Sequence, residues 1–308
     1  MTKIWNGTDS FFSKEKIVLT IGTFDGVHLG HQKIIARLNQ HKSEGFSTAL
    51  LTFNPHPRKV LFPEQKDLKL INTNQEKIEL FEHFGIDHVI IQTFNFEFSS
   101  LSSDDYIIGI LKNKLNIRKL IIGYDHRFGK NREGGIELLK KYAEKLQFQI
   151  EEIPVKEIDS INISSSNIRK AIEYGNIDLA NQFLGYFFFL NAVVVHGKKL
   201  GRTIGFPTAN LELQDSEKIV PGNGVYAVKA HVKNEIYKGM MNIGLNPSTN
   251  NDNNIKLELH LFDFDQDIYS EKLKIEFHHR LRDEKKFDTL EQLVEQLKSD
   301  EVTSRKVL

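Results

Sequence analysis

The sequence predicts an α/β domain built on a parallel sheet, followed by a small antiparallel barrel or sandwich that ends in a helix. In the first half, short apolar runs alternate with longer amphipathic stretches, which is the pattern of successive strand–helix–strand units. In the second half, strand-like runs follow one another with loops between them, and a clear helical pattern returns near 288–298. The pattern changes near 184–187, where we expect the boundary between the two parts.

The elements of the first half follow from this alternation in chain order. Strands are expected at 17–21, 48–53, 88–92, 118–122 and 148–153. Helices are expected near 31–44, 74–84, 103–115 and 135–146, with a short helical pair at 166–174 and 177–184. Because ligands bind beyond the carboxyl ends of parallel strands, we expect the polar segments after the first, second, fourth and fifth strands to converge at one sheet edge.

The second half is expected to consist mostly of strands joined by loops. Its strand-like runs are 188–196, 224–232, 235–243, 255–262 and 272–278. Such a run of strands, closed by the C-terminal helix, is typical of a small antiparallel domain.

The bulk composition bears on the classes of function. The chain has 308 residues, a formal net charge of zero and no cysteine. Zero net charge gives no general attraction to nucleic acid or to an anionic membrane, so we expect neither as a partner. The lack of cysteine removes disulfides, thiolate zinc sites and cysteine nucleophiles. No apolar run approaches the ~18 residues that span a membrane, and the N-terminal stretch lacks the apolar core of a secretory signal, so we expect a cytoplasmic protein.

The segment GTFDGVHLGH, residues 22–31, follows the first predicted strand and opens the first predicted helix. A helix N-terminus presents unpaired N–H groups and the positive end of the helix dipole, which together favour phosphate. The glycines allow tight turns and close approach of a ligand, and His28 and His31 are able to donate hydrogen bonds to one phosphate group. Two incidental histidines are the alternative, but the position between a buried strand and an amphipathic helix favours a phosphate site.

Two further segments follow predicted strands. TFNPHPR, residues 52–58, holds its backbone rigid with two prolines and offers Asn54 for directional polar contacts, although a plain rigid turn is the alternative. GYDHRFG, residues 123–129, places Asp125 in a glycine-bounded loop. Asp125 is a candidate for binding a ribose hydroxyl, an adenine amine or a metal, and a solvated loop is the alternative.

The last polar segment of the first half, ISSSNIR at 163–169, opens a predicted helix. One of its serines is expected to cap the helix, while backbone amides and Arg169 hold phosphate oxygens. A simple cap is the alternative, but an arginine at that place favours an anion.

Together, GTFDGVHLGH, TFNPHP, GYDHRFG and ISSSNIR resemble the adenylyltransferase module of prokaryotic bifunctional FAD synthetases, in the H-x-G-H nucleotidyltransferase superfamily. The resemblance implies a Rossmann-like domain that transfers AMP from ATP to FMN by direct in-line attack and releases pyrophosphate. It implies that His28 and His31 are catalytic and contact the ATP phosphates. It also assigns ATP and phosphate binding to Gly22, Phe24, Gly30, Asn54, Asp125, Ser164, Ser165 and Arg169. Members of the family commonly have Phe where this chain has His126, which leaves the role of position 126 unassigned.

Two stretches of the second half carry candidate chemistry. In GKKLGRTIGFPTAN, residues 197–210, the glycines suit a phosphate-covering loop, and the Thr208 hydroxyl and Asn210 carbonyl are oxygen donors that Mg²⁺ accepts beside substrate phosphates. A hairpin loop is the alternative. In LELHLFD, residues 257–263, strand alternation places Glu258 opposite the leucines. If Glu258 faces a pocket it is a candidate general base; otherwise it belongs to the wet face of a barrel.

GRTIGFPTAN, GVYAV, NIGLNPS, LELHLFDFDQDIY and HHRLRDEKKFDTLEQL, in this order, resemble a riboflavin kinase module. The resemblance implies an antiparallel β-barrel with a C-terminal helix, in which Glu258 is the catalytic base toward the riboflavin 5′-hydroxyl. It implies that Thr208 and Asn210 are the metal residues, with Mg²⁺ as cofactor. It also assigns ATP and flavin binding in this module to Gly201, Arg202, Gly205, Pro207, Arg280 and Arg282.

The two resemblances predict an adenylyltransferase domain at 1–185 and a kinase domain at 186–308. We expect riboflavin to be phosphorylated to FMN and FMN to be adenylylated to FAD, with ATP used in both steps. Small molecules are the expected partners, and the chain is expected to be a monomer or a weak homo-oligomer. The alternatives are an enzyme with one active module and a flavin- or nucleotide-binding regulator.

Overall fold

A computed structural model describes residues 1–64, 67–123, 126–154, 163–197, 200–245 and 255–308, without the side chains of Leu200, Arg202 and Leu245. The chain divides into two compact units, Met1–Ser165 and Ser166–Leu308. Within the described residues, no helix is long and apolar enough to cross a membrane.

The first unit is built on a six-stranded sheet in which every pair of neighbouring strands is parallel. The strands are β1 (Lys3–Asn6), β2 (Lys16–Ile21), β3 (Phe46–Asn54), β4 (His88–Thr93), β5 (Ile117–Gly123) and β6 (Gln149–Ile153). Their order across the sheet is β1-β4-β3-β2-β5-β6. The α/β fold class and the strands expected in this half are confirmed. Strand β1 was not predicted, because its four residues are mostly exposed at the sheet edge and show no apolar run.

The helices of this unit connect the parallel strands. They are α1 (Leu29–Gln40), α2 (Pro57–Leu61), α3 (Asn74–His83), α4 (Phe96–Ser99), a π-helix at Asp105–Lys114, α5 (Ile136–Leu146), and short 3₁₀ turns at His41–Glu44 and Lys130–Arg132. Both faces of the sheet are buried, since Leu19 of β2 lies in one apolar cluster and its neighbour Val18 in another. The start of α3 is fixed by a capping box in which the Thr73 hydroxyl accepts from the Glu76 amide and the Glu76 carboxylate accepts from the Thr73 amide.

The second unit contains a closed barrel, so the antiparallel domain is a barrel rather than a sandwich. Its strands are β7 (Phe189–Val195), β8 (Ala209–Leu213), β9 (Gly224–Val232), β10 (Glu235–Leu245), β11 (Ile255–Leu261) and β12 (Lys272–Arg282), in the order β10-β11-β8-β7-β12-β9. A 3₁₀ turn at Leu200–Ile204 precedes β8. Strand β8 was not predicted, because its residues belong to a segment interpreted as a phosphate loop.

Among the residues that the structure describes, three helices accompany the barrel. They are α6 (Ser165–Glu173), α7 (Ile177–Leu184) and α8 (Leu290–Val307). The expected helical pair is confirmed as α6 and α7, and α7 packs on β12, where the Asn181 side-chain amide donates to the Phe277 carbonyl over 2.9 Å. The C-terminal helix is also confirmed, and it extends well beyond the predicted end at 298.

Candidate active sites

The carboxyl ends of β3, β2, β5 and β6 lie side by side, because these four parallel strands are consecutive in the sheet. The strand ends from which the polar segments start are therefore neighbours, while the convergence of the segments themselves stays a prediction. A direct link joins the first and last of these segments, since the Ser165 hydroxyl donates to the carbonyl of Asp25 over 2.8 Å.

The two histidines of the first segment form a stacked pair. The ring centroids of His28 and His31 are 3.7 Å apart and the rings are inclined by 20°. His28 is the N-cap residue of α1, and Gly30 lies buried in the first turn. Among the residues that the structure describes, neither Nδ1 atom has a hydrogen-bond partner although both are buried. Each ring therefore has a nitrogen without a hydrogen-bond partner in the described part of the chain, at the N-terminus of a helix, where an anion binds readily.

Burial keeps both imidazoles neutral. It lowers the pKa of His28 to about 4, against the opposing attraction of Asp25. Burial also lowers the pKa of His31 well below its usual value, and a positive charge on His28, when that ring is protonated, or on Lys77 lowers the pKa further. Each ring then donates one hydrogen bond and accepts one at neutral pH. An approaching polyphosphate would favour the charged form of either ring, since an opposite charge raises the pKa of a histidine.

Phe24 and Gly22 shape the approach to this pair. Phe24 is buried, and its ring centroid lies 5.0 Å from that of His31. The Gly22 amide donates to the Leu51 carbonyl over 3.1 Å, which continues the β2–β3 ladder into the loop. Phe24 thus contacts the second histidine through its ring, while a direct contact with ATP stays a prediction for both residues.

The remaining predicted residues of this site lie in different parts of the chain. Asn54 ends β3 with an exposed side chain and is followed by a cis peptide bond to Pro55. Ser164 precedes α6, and Arg169 is buried on α6, within the second compact unit. Asp125 lies outside the described residues. The roles assigned to these residues stay predictions.

Sequence reasoning missed two buried charged residues in this region, Asp25 and Lys77. Asp25 lies within the first segment, and its Oδ1 accepts from the amides of Ile71 and Asn72 over 2.9 and 3.2 Å. Lys77 lies on α3 four residues before the buried Phe81. That spacing places both on one helix face, and this was the available signal for a buried lysine.

The second unit contains a half-open cavity of about 710 Å³. Its lining includes the predicted residues Gly201, Thr208, Glu258 and Arg282. The prediction that Glu258 faces a pocket is consistent with this lining, and the carboxylate keeps 24% of its side-chain surface exposed. The cavity also contacts Phe287 and Leu290 at the start of the C-terminal segment, which gives it an apolar wall.

Strand register places the candidate metal residue beside the candidate base. Asn210 of β8 is the direct cross-strand partner of Glu258 of β11, and Asn242 of β10 is its partner on the other side. The Glu258 carboxylate also forms an ion pair with Lys256 at 2.7 Å. Asn210, Glu258 and Asn242 therefore lie side by side on three neighbouring strands. Their carboxylate and two side-chain amides are able to bind polar atoms of a substrate.

Glycines of the loop before β8 lie close to the two candidate metal residues, of which Thr208 lines the cavity. A Cβ atom on Gly201 would lie 2.1 Å from the Phe206 carbonyl oxygen and 3.3 Å from the Thr208 hydroxyl, and one on Gly197 would overlap the Asn210 amide. Glycine is required at position 201, where the clash is with the backbone, whereas at position 197 the Asn210 side chain would have to shift. Among the described residues there is no cluster of three carboxylates or histidines able to hold a metal. A hydroxyl and an amide carbonyl nevertheless fit Mg²⁺, which takes few protein ligands beside substrate phosphates.

The other predicted kinase residues lie at different places. Gly205 and Pro207 belong to the segment before β8, and the side chain of Arg202 lies outside the described residues. Arg282 lines the cavity and holds the Asp300 carboxylate through Nε and Nη2, the latter at 2.7 Å. Arg280 instead donates from Nη2 to the Asn223 carbonyl over 2.6 Å. Its role in binding ATP or flavin stays a prediction.

Family models match almost the whole chain. The model described as FAD synthetase matches residues 11–167, and the model described as riboflavin kinase matches residues 184–308. A bifunctional riboflavin kinase/FMN adenylyltransferase from Bacillus subtilis is 40% identical over 294 residues, which are 92% of this chain and 90% of that protein. Its counterpart from Escherichia coli K12 is 34% identical, with 95% and 93% covered. A solved structure described as a macrolide-efflux protein from Streptococcus pneumoniae has a TM-score of 0.91 at 32% identity and covers 99% of this chain and 98% of its own.

Proposed function

The chain belongs to the bifunctional riboflavin kinase/FMN adenylyltransferase family, and from this premise we propose how its two units divide the synthesis of FAD. The C-terminal domain is a riboflavin kinase that makes FMN, and the N-terminal domain is an FMN adenylyltransferase that makes FAD. We place the boundary between the two modules at 185/186, which differs from the division of the chain into compact units at 165/166 because α6 and α7 belong to the second unit. The start of the riboflavin kinase match at residue 184 supports the module boundary.

In the kinase, Glu258 accepts the proton of the riboflavin 5′-hydroxyl as that oxygen attacks the γ-phosphorus of ATP and ADP departs. The observation that carries this assignment is that Glu258 and Thr208 line the same 710 Å³ cavity. Thr208 and Asn210 would hold Mg²⁺, which neutralises phosphate charge when bound. The apolar wall at Phe287 and Leu290 suits an isoalloxazine ring.

In the adenylyltransferase, a phosphate oxygen of FMN attacks the α-phosphorus of ATP, and pyrophosphate leaves. His28 and His31 donate hydrogen bonds to the phosphate oxygens on which charge develops, supported by their stacked position at the start of α1. Ser164, Ser165 and Arg169 complete the phosphate site in this proposal. Asn54 and Asp125 contact the nucleotide.

Purified protein incubated with riboflavin, ATP and Mg²⁺ tests the proposal, with the flavins resolved by chromatography. We expect FMN to form first and FAD to follow. Accumulation of FMN alone, or conversion of supplied FMN without use of riboflavin, would show that one module is inactive. Unchanged riboflavin and unchanged FMN would leave only a binding function and would overturn the proposal.

The partners we propose are small molecules alone, with the chain acting as a monomer or a weak homo-oligomer. Because both reactions consume ATP, we propose the cytoplasm as their location. Sedimentation of the purified protein with and without FMN tests the oligomeric state.

A further inference from the structure

Lys77 is a buried lysine next to two segments of the adenylyltransferase site. Only 6% of its surface is exposed, and its Nζ lies 3.4 Å from the Thr23 carbonyl oxygen and 3.4 Å from the Thr52 hydroxyl. The Thr52 hydroxyl itself donates to the same Thr23 carbonyl over 3.1 Å. Thr23 belongs to the loop after β2 and Thr52 to the end of β3. The ammonium therefore lies where α3 meets both segments.

Asp25, in the same loop as Thr23, contacts the residues just before the helix that carries Lys77. The Asp25 residue is 2% exposed, and its carboxylate accepts hydrogen bonds from Ile71 and Asn72, just before the capping box of α3. The loop after β2 thus holds the start of α3 through Asp25, and Lys77 of α3 contacts the same loop through the Thr23 carbonyl. Asp25 lies three residues before His28, so this arrangement also controls the path of the backbone into the histidine pair.

A buried lysine at this position destabilises the fold if it contributes packing alone. Removing an ammonium from water costs several kilocalories per mole, and apolar residues of similar volume often replace buried ion pairs at no loss of stability. The contacts of Nζ are long, so they offset this cost incompletely. The charge itself therefore has a use at this place, and the nearby use for a positive charge is a polyphosphate.

We propose that Lys77 is a positioning residue for adenylyl transfer, whose buried ammonium holds the loop of the histidine pair against the end of β3 and supplies a fixed positive charge behind that pair. This inference rests on the proposed adenylyltransferase function of the first unit. Lys77 acts through Thr23, Thr52 and the histidines, and the phosphates of ATP gain a site whose positive charge is already in place.

The charged state of Lys77 limits this role on the alkaline side. Burial lowers its pKa to about 8, while the negative charge of Asp25 opposes the shift. The titratable groups that interact with it are Asp25 and His31, and His28 stacks on His31. In the free enzyme the ammonium is present below about pH 8 and is lost as the pH rises through that value. The kcat/KM for ATP in FMN adenylylation is expected to fall over the same range.

The test compares wild-type protein with Lys77→Met, which keeps an unbranched side chain one atom shorter and removes the charge. We expect kcat/KM for ATP in FMN adenylylation to fall about a hundredfold, as for other losses of positioning, and its alkaline decline near pH 8 to disappear. Riboflavin phosphorylation by the same polypeptide is expected to stay unchanged. Lys140→Met on α5 is the matched control, because Lys140 is exposed and pairs only with the nearby Glu137 among the described residues.

Lys77→Arg distinguishes charge from shape, and we expect it to retain more adenylylation activity than Lys77→Met. Unchanged kcat/KM with a preserved alkaline decline in Lys77→Met would overturn the inference. Equal losses in the Arg and Met variants would overturn it as well, because the charge would then be irrelevant. If wild-type protein makes no FAD, the proposed function fails instead, so the two failures are distinguishable.

Discussion

The imidazole Nδ1 of His260 donates a hydrogen bond to the carbonyl oxygen of Pro207 over 2.7 Å. His260 lies two residues after Glu258 on β11, and Pro207 directly precedes Thr208. This single bond therefore joins the strand of the candidate base to the segment of the candidate metal ligands. Both Glu258 and His260 line the barrel cavity, so the bond lies at the site itself.

Replacing His260 with Phe is expected to loosen this connection. The Pro207 carbonyl would lose the donor that ties it to β11. We expect a higher Mg²⁺ concentration for half-maximal riboflavin phosphorylation, because Thr208 loses its fixed position. Titration with Mg²⁺ measures this, with FMN adenylylation by the same chain as the control. An unchanged Mg²⁺ requirement would contradict the connection.

Glu258→Gln is expected to stop FMN formation while FMN is still converted to FAD. Loss of a general base lowers the rate by about 10²- to 10⁴-fold, and the amide keeps the size of the side chain. Chromatography of the flavins, started from riboflavin in one sample and FMN in another, separates the two steps. A loss of both steps would show that the two reactions do not use separate sites.

His28 should make protein stability depend on pH in the acid range. Its pKa is lowered to about 4 in the folded protein against an ordinary value of 6.5. Below 6.5 the unfolded chain binds a proton that the folded chain does not, so the stabilising contribution is complete above 6.5 and declines toward pH 4. Urea unfolding at several pH values is expected to show this decline, and His28→Gln is expected to flatten it. Parallel curves for the two proteins would refute the assignment.

Arg282 is expected to matter for the docking of α8. Its guanidinium donates hydrogen bonds to the carboxylate of Asp300, which is almost fully buried on that helix. Removing Arg282 therefore leaves the buried Asp300 charge without its cationic partner. Arg282→Ala should destabilise the second unit by about 3–5 kcal/mol. Arg305→Ala, also on α8, is the control. It removes exposed ion pairs with Asp263, which follows β11, and with Glu301 of α8, and should lower the urea midpoint much less. Similar shifts for both variants would contradict this account.

Local patterns predicted the elements well because burial leaves a periodic mark on the sequence. The strands β2 to β5 contain apolar runs, and the three-residue spacing of His28 and His31 is that of neighbours on a helix face. The pattern could not reveal β8, since Asn210 and Glu212 on this strand look like parts of a polar loop. Nor does any local pattern contain the register that sets Asn210 opposite Glu258, because that pairing joins residues far apart in the chain.

Charged residues inside the first unit show a different limit. A lysine or aspartate in an amphipathic sequence is normally solvated, whereas Lys77 and Asp25 are both buried and the charge of Asp25 opposes the effect of burial on the Lys77 pKa. Such an interaction is a property of the assembled fold. It becomes visible only when α3 and the loop after β2 are placed together.

The barrel cannot close until the last of its strands has been synthesised. All strands of the first sheet have been translated once Ile153 is made, whereas β12, which lies between β7 and β9, is the last strand of the second unit. Until Arg282 has left the ribosome, β7 and β9 each keep an open edge that is able to pair with another nascent chain. A message truncated before β12 should therefore yield a soluble first unit joined to an aggregation-prone remainder.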